Sequence, residues 1–350
     1  MEERPLGRSG LRVSAVGLGT MTFGGQTPEP DACRQLDLAL DAGITLFDTA
    51  ENYPIPLDAA TQGRSEAILG RWLARRGVRQ RVVVATKVAG PGDRAGRLDW
   101  LRGPDRRLDW PNIRAAATAS LRRLGTDWID LYQVHWPERL VTTPFRDRFV
   151  PAPDDPHQVP IEETLGALGR LVEEGLVRAV GVCNESPWGV MRYLAAAERL
   201  NLPRLASVQN GLNLLNRRLE SGLAEVAVRE EVGVVGYSPL AGGVLSGKYG
   251  AGVTSLPGSR SSHSPEFARR LRPRVRAAVA AYGALAARHG LSLAELALAF
   301  ARSRPYVASV LVAGSTAAQL RANLAASERT LTPELLREID RIHDENPNPL

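Results

Sequence analysis

Two hydrophobic patterns alternate along the chain. Short β-branched runs such as VVVAT and VGVVGY are apolar on both faces, as are strands of a parallel sheet covered by helices. Between them, apolar residues recur every three or four positions, the period of an amphipathic helix. The short runs predict strands over Val16–Gly19, Thr45–Asp48, Val82–Lys87, Ile129–His135, Val177–Val182, Ser207–Asn210, Gly233–Tyr237 and Val310–Ala313. The longer stretches predict helices near Pro30–Ala42, Ser65–Arg75, Asn112–Leu124, Ile161–Glu174, Pro187–Leu200, Glu220–Glu231 and Pro273–His289. A further helix over Leu293–Ser303 precedes the last strand, and helices near Ala317–Ala325 and Pro333–Asp344 close the chain. Eight strands, each followed by a helix, predict parallel βαβ units.

Such units build either an open doubly wound sheet or a closed barrel. The segment Gly17-Leu18-Gly19-Thr20-Met21-Thr22 separates the two. It begins like the dinucleotide fingerprint of the open sheet but has Thr22 in place of the third glycine, and no helix opens directly after it, so the fingerprint fails. Neither a Walker A loop nor HExxH is present. We therefore expect an α/β fold in which residues 1–350 form a single (β/α)8 TIM barrel domain, a size that barrels reach as one unit. Before the first strand, RPLGRSGLRVSAV has glycine turn chemistry between short apolar pieces and predicts a β-hairpin that plugs the bottom of the barrel. Long irregular stretches rich in Pro, Gly, Asp and Arg follow strands three, four and seven, at Ala89–Pro111, Pro137–Pro160 and Ala241–Arg272. Loops of that length serve as lids or binding loops, and these three fall on the C-terminal face where barrels place their sites.

Composition narrows the function classes. Charged residues make up 23% and hydrophobic residues 44%, an ordinary soluble-globular balance. No run reaches the roughly 18 apolar residues of a membrane span, and the start MEERPLGRSG has no apolar h-region of a signal peptide. Cys33 and Cys183 cannot by themselves form a disulfide framework or a zinc site, which fits a reducing cytoplasm. The net charge of +6 would suit nucleic acid or a membrane surface. The basic residues are spread out, with no dense run and no interleaved aromatics, so neither partner is expected. The arginine-rich helices suit a solvent-facing or a partner-facing surface equally. Of 44 Lys and Arg residues only Lys87 and Lys248 are lysine. A lysine is compact and can shift its pKa, whereas a guanidinium is planar and always charged. In so arginine-rich a chain the two survivors are candidates for work that arginine cannot do, with chance survival as the plainer reading.

Polar residues gather at successive strand ends: Asp48 in FDTAENY, Lys87 in VVVATK, His135 in DLYQVHW, then Asn184, Gln209 with Asn210, and Tyr237. In a barrel these positions converge on one pocket. Singly, a histidine at a strand end is more often structural and an aspartate before threonine more often a cap; the case rests on the ensemble.

Here the chain resembles the aldo-keto reductase superfamily, and closely its bacterial Tas-type branch. The motifs that carry the resemblance are GLGTMTFG (17–24), FDTAENYP (47–54), TQGRSE (61–66), ATKV (85–88), LYQVHWP (131–137), GVCNES (181–186), VQN (208–210), YSPLAGGVLSGKY (237–249) and GSTAAQLRAN (314–323). The resemblance implies a catalytic set of Asp48, Tyr53, Lys87 and His135. Tyr53 would be the general acid that protonates the developing oxyanion, with Lys87 lowering the phenol's pKa and Asp48 holding Lys87. His135 would hydrogen-bond the substrate oxygen.

The resemblance also implies an NADP(H) groove. Tyr237 would stack on the nicotinamide, while Asn184 and Gln209 hold its carboxamide. Gly19, Thr20, Met21 and Asp48 would lie beside the nicotinamide ribose. Ser238, Pro239, Leu240, Gly242 and Lys248 would line the pyrophosphate path, with Arg260 closing over it. Gly314, Ser315, Thr316, Gln319 and Asn323 would hold the 2′-phosphate ribose and adenine at a helix N-terminus. Two departures from the family pattern stand out. Cys183 replaces a serine of the Ser-Asn pair, and Thr316 stands where many members carry a basic residue, leaving NADP preference to Arg260, Ser315 and Arg321. Phe23, Tyr53, His135, Trp136 and Trp188 are candidate walls of a mouth that suits a small carbonyl substrate with hydrophobic or aromatic groups.

The function implied is NADPH-dependent reduction of aldehydes or ketones. A redox-sensing regulatory subunit that binds NADP(H) is the alternative, since such barrels keep the same residues. A barrel isomerase or lyase has no support: no metal-ligand cluster or Schiff-base context appears.

Overall fold

The computed structural model describes the whole chain except residues 92–97, 104–105, 142–147, 152–156, 251–252, 254, 264–266 and 268–269. Parts of all three long loops thus lie outside the described residues.

The chain opens with a hairpin of β1 (Glu3–Pro5) and β2 (Arg12–Ser14), which pair antiparallel. It sits under the barrel because Leu6 in its turn and Val13 on β2, both fully buried, pack with Leu46, Leu131, Val235 and Leu311. Gly7 makes the approach possible. It adopts φ +57°, and a Cβ there would come within 2.4 Å of the Ala206 carbonyl oxygen.

Eight parallel strands close the barrel: β3 (Val16–Gly19), β4 (Leu46–Asp48), β5 (Val83–Val88), β6 (Ile129–Val134), β7 (Val177–Cys183), β8 (Leu205–Gly211), β9 (Gly233–Tyr237) and β10 (Val307–Val312). They pair in chain order, and β10 returns to β3. The expected (β/α)8 architecture and its N-terminal hairpin are therefore present.

Around the barrel run α1 (Glu29–Asp41), α2 (Arg64–Arg76), α3 (Trp110–Leu124), α4 (Ile161–Glu173), α5 (Pro187–Leu200), α6 (Leu223–Arg229), α7 (Arg260–His263), α8 (Pro273–Arg288), α9 (Leu293–Ser303), α10 (Ala317–Ser327) and α11 (Pro333–Glu345). Side-chain caps by Asp109, Ser186, Ser292, Thr316 and Thr332 start five of them. The helix expected over Glu220–Glu231 is shorter than its apolar period suggests. Gly222 at φ +123° breaks the backbone, so a 3-10 turn over Arg218–Glu220 precedes α6. The last strand begins three residues earlier than expected, because Val307 and Ala308 pack inside the protein too.

Two apolar layers flank the strands. One, between strands and helices, includes Phe47, Trp72, Tyr132 and Phe300. The other fills the lower barrel with Leu46, Val83, Ala85, Leu131, Ala179, Val235 and Leu311 above the hairpin. Burial of one such leucine contributes roughly 1.5–3 kcal/mol. Two residues further along the same strands stand Asp48, Lys87, Gln133 and Tyr237. Strand alternation keeps them on the inner face, and here they are polar.

Candidate active site

Asp48 ends β4 and is 3% exposed. Its Oδ1 accepts a hydrogen bond from Lys87 Nζ, and its Oδ2 accepts from Gln209 Nε2 at 2.7 Å and Gln133 Nε2 at 3.2 Å. Lys87 has no solvent exposure and also donates to the Thr49 carbonyl at 2.8 Å. Burial works against its charge, but Asp48, and after it Tyr53, outweighs burial and carries the ammonium above its ordinary pKa. Lys87 is therefore a fixed positive charge at neutral pH.

That charge lies 5.1 Å from the centre of the Tyr53 ring. The His135 ring meets the Tyr53 ring edge-on at 5.7 Å and 79°. Tyr53 itself sits on the loop after β4, where the Gly63 N–H donates to its carbonyl at 2.9 Å. The structure corrects one expectation here. Burial raises the phenol to about 12, with Lys87 acting in the opposite direction. The lysine limits the rise rather than bringing the phenol below its usual value.

His135 continues β6 through its N–H to the Val88 carbonyl, 2.9 Å. Burial first, and the Lys87 charge second, push its pKa well down, so the imidazole is neutral. Its Nδ1 is buried with no hydrogen-bond partner among the described residues. A polar atom left so costs free energy unless something else binds it.

Asn184 holds φ +57°, a left-handed backbone that asparagine tolerates. Its Nδ2 donates to the His135 carbonyl at 2.9 Å, and its Oδ1 accepts from Tyr237 Oη at 2.7 Å. Both amides expected at a carboxamide thus have protein partners, Gln209 through Asp48 and Asn184 through Tyr237. The Cys183 thiol lies 3.7 Å from Gln209 Oε1, and burial pushes it up to about 12, so it is no thiolate. A groove of 190 Å³ runs from Asn184 and Tyr237 past Asn210 and Asn216 toward Leu223.

Beyond Tyr237 the backbone turns left-handed at Ser238, Ala241, Gly242 and Gly243. Lys248 and Arg260 flank the two glycines. A Cβ on Gly243 would lie 3.4 Å from Lys248 Nζ, and one on Gly242 would lie 3.5 Å from Arg260 Nη1. Pro239 is buried, while Ser238 and Leu240 are half-buried. Two cations over a side-chain-free turn form a cradle fit for a phosphate pair.

At the far end Ser315, Thr316 and Gln319 are exposed at the start of α10. Thr316 Oγ1 caps the helix by accepting from the Gln319 N–H at 3.2 Å, and Gln319 Oε1 accepts from the Ser315 N–H at 2.9 Å. Asn323 Nδ2 donates to the Ala313 carbonyl at 2.9 Å. Gly314 is required, since a Cβ would meet Leu320 N at 2.6 Å.

Other candidates are displaced from their expected places. Phe23 is 1% exposed in the layer between barrel and helices, so it packs as core and is no wall of an open mouth. Thr20 is fully buried and spends its hydroxyl on the Asp48 carbonyl at 3.0 Å, while Gly19 and Met21 are half-buried. Trp136 is half-buried at the rim. Trp188, 58% exposed, is neither wall nor core; it lies on α5 between Arg139 and Arg192.

Gln133 and Glu51 join the site although neither stands out in the sequence. Gln133 stands two residues before His135 on the same strand, and that spacing marks it as facing the same pocket. Glu51 is buried, pairs with Arg102 and accepts from the Ala89 N–H at 2.6 Å, tying the loop after β5 to the loop after β4.

The profile of the Aldo/keto reductase family matches residues 15–344. This chain belongs to the aldo/keto reductase family. Among similar curated proteins, Protein tas of Escherichia coli (strain K12) is 44% identical over 346 residues, 98% of each chain. The uncharacterized oxidoreductase YrpG of Bacillus subtilis (strain 168) is 34% identical over 344 residues, 98% of this chain and 96% of the relative. An aldo-keto reductase of Babesia bovis is 37% identical over 276 residues, 75% of this chain and 96% of the relative. The chain is thus of the Tas type. Aldo/keto reductase membership implies NAD(P)-dependent carbonyl reduction. No single helix among the described residues is long and apolar enough to cross a membrane.

Proposed function

We propose that the protein reduces aldehydes or ketones to alcohols with NADPH, using Tyr53 as the proton donor. The observation that carries this reading is the placement of a protonated phenol beside a buried, charged lysine and a neutral histidine.

A bound dinucleotide supplies a hydride; the residues supply the rest. The cradle at Gly242 and Gly243, with Lys248 and Arg260, suits its pyrophosphate. Tyr237 and Asn184 suit its ring end, and the start of α10 suits a 2′-phosphate. At the carbonyl, the oxygen gains negative charge. Tyr53, protonated throughout the neutral range, hands its proton to that oxygen, since an alkoxide is a far stronger base than a phenolate. The Lys87 charge stabilises the phenolate left behind. A neutral His135 donates one N–H to the same oxygen without competing for its proton.

Asp48, held on both oxygens, fixes the lysine rather than moving a proton. Trp136, half-buried just past the end of β6, would give the mouth an apolar wall, which favours carbonyls with hydrophobic or aromatic substituents. Spectrophotometric NADPH oxidation against a panel of aldehydes and ketones tests the proposal. Turnover of several aromatic members is expected. Tight NADPH binding with no turnover of any carbonyl would instead favour a redox-sensing role.

A further inference from the structure

Lys87 is held from inside the barrel by Asp48, but the backbone that presents it is held from outside. Its second acceptor is the Thr49 carbonyl. The Thr49 hydroxyl lies 3.0 Å from Ser65 Oγ, and Ser65 Oγ in turn donates to the Thr20 carbonyl at 2.9 Å and lies 2.7 Å from Thr20 Oγ1. Thr20 Oγ1 closes the ring by donating to the Asp48 carbonyl. All three hydroxyl residues have no solvent exposure. On the other side of the lysine, Thr86 Oγ1 donates to Glu66 Oε1 at 2.6 Å. Glu66 Oε2 accepts from Arg123 Nε at 2.6 Å, and Glu66 is fully buried.

From these contacts we infer that Ser65 and Glu66, adjacent residues at the start of α2, are positioning residues for the Lys87 ammonium, acting through Thr49 and Thr86. The inference rests on the reductase reading and deepens it. Strand alternation turns Thr86 outward and Lys87 inward, so a bond that fixes Thr86 sets the rotation of the strand at the lysine. The bond to Thr49 fixes the carbonyl that receives the ammonium.

A plainer account of a Ser-Glu pair at a helix start is capping. It does not describe this one. The start of α2 has no side-chain cap, and both side chains reach away from the helix to the barrel. The same ring holds Thr20, so one helix end aligns the lysine and the turn beside Met21.

The test uses Ser65→Ala and Thr86→Val in the full chain, with circular dichroism confirming the fold. Steady-state reduction is followed at neutral pH, and NADPH binding by fluorescence. We expect kcat to fall roughly 10- to 100-fold, with KM and NADPH Kd changed by less than about threefold. Ser65→Thr, which keeps the hydroxyl, should restore most of the rate. If Ser65→Ala does not fold, Thr86→Val alone decides. A folded variant with the wild-type kcat overturns the inference, as does a rate loss that Ser65→Thr does not restore. Tyr53→Phe separates the two levels. Full activity there sinks the reductase reading itself, whereas an inactive Tyr53→Phe beside an unaltered Ser65→Ala sinks only this inference.

Discussion

The Lys87 ammonium stands 5.1 Å from the Tyr53 ring and 2.8 Å from the Thr49 carbonyl, with no solvent exposure. A permanent charge next to a phenol in a buried pocket is an arrangement for handling one proton. It makes the behaviour of each member of the site testable.

Tyr53→Phe removes the proton donor and leaves the cradle untouched. NADPH affinity should stay within about twofold, while kcat should fall by roughly 10²–10⁴. Fluorescence titration and steady-state kinetics on the same preparation check both; undiminished turnover would overturn the assignment.

Lys87→Met leaves the Asp48 carboxylate buried without its cation. Loss of one partner of a buried pair costs about 3–5 kcal/mol. Urea unfolding should show that loss together with lost activity. A stability equal to wild type would mean that the pair does not hold the site.

The pH dependence of stability follows from His135. Burial, then Lys87, keeps it neutral in the folded protein to well below its ordinary pKa. The unfolded chain takes up that proton near pH 6.5. Below about 6.5 the unfolded state therefore binds more protons, and stability is lost as pH falls. His343 acts in the same direction, so the comparison must be made between variants. Unfolding free energy between about pH 7 and 5 should fall more steeply in wild type than in His135→Asn. Parallel curves would contradict a neutral buried imidazole.

Thr316 caps α10 and carries no charge toward a 2′-phosphate. The preference for NADPH over NADH should therefore be modest. Thr316→Arg should widen it by about tenfold, or 1.4 kcal/mol, with up to about 1 kcal/mol lost from the helix cap. Titration of both cofactors measures the ratio; equal or tighter NADH binding by wild type would refute the NADPH preference.

The barrel was legible because its signals are local. Strands apolar on both faces and helices of regular period can be read residue by residue, and so can the polar strand ends at Asp48, Lys87 and His135. What escaped depends on enclosure. The Tyr53 hydroxyl is raised rather than lowered because burial outweighs the lysine, and burial is a property of the closed pocket. Phe23 looked like a wall because it follows a site motif, yet its backbone turns it into the outer core. Gln133 lies in LYQVHWP and Ser65 in TQGRSE, but their partners are 85 and 45 residues away in the chain. The break before α6 needed Gly222 at φ +123°, which an apolar period does not reveal.

The hairpin of Glu3–Ser14 gives the barrel a floor. With the apolar side chains packed above it, that end is closed, so the polar layer at Asp48, Lys87 and Gln133 faces the C-terminal rim. On the proposed reading, whatever lies deepest enters first and leaves last. A dinucleotide seated beneath the carbonyl would then bind before it and outstay the alcohol.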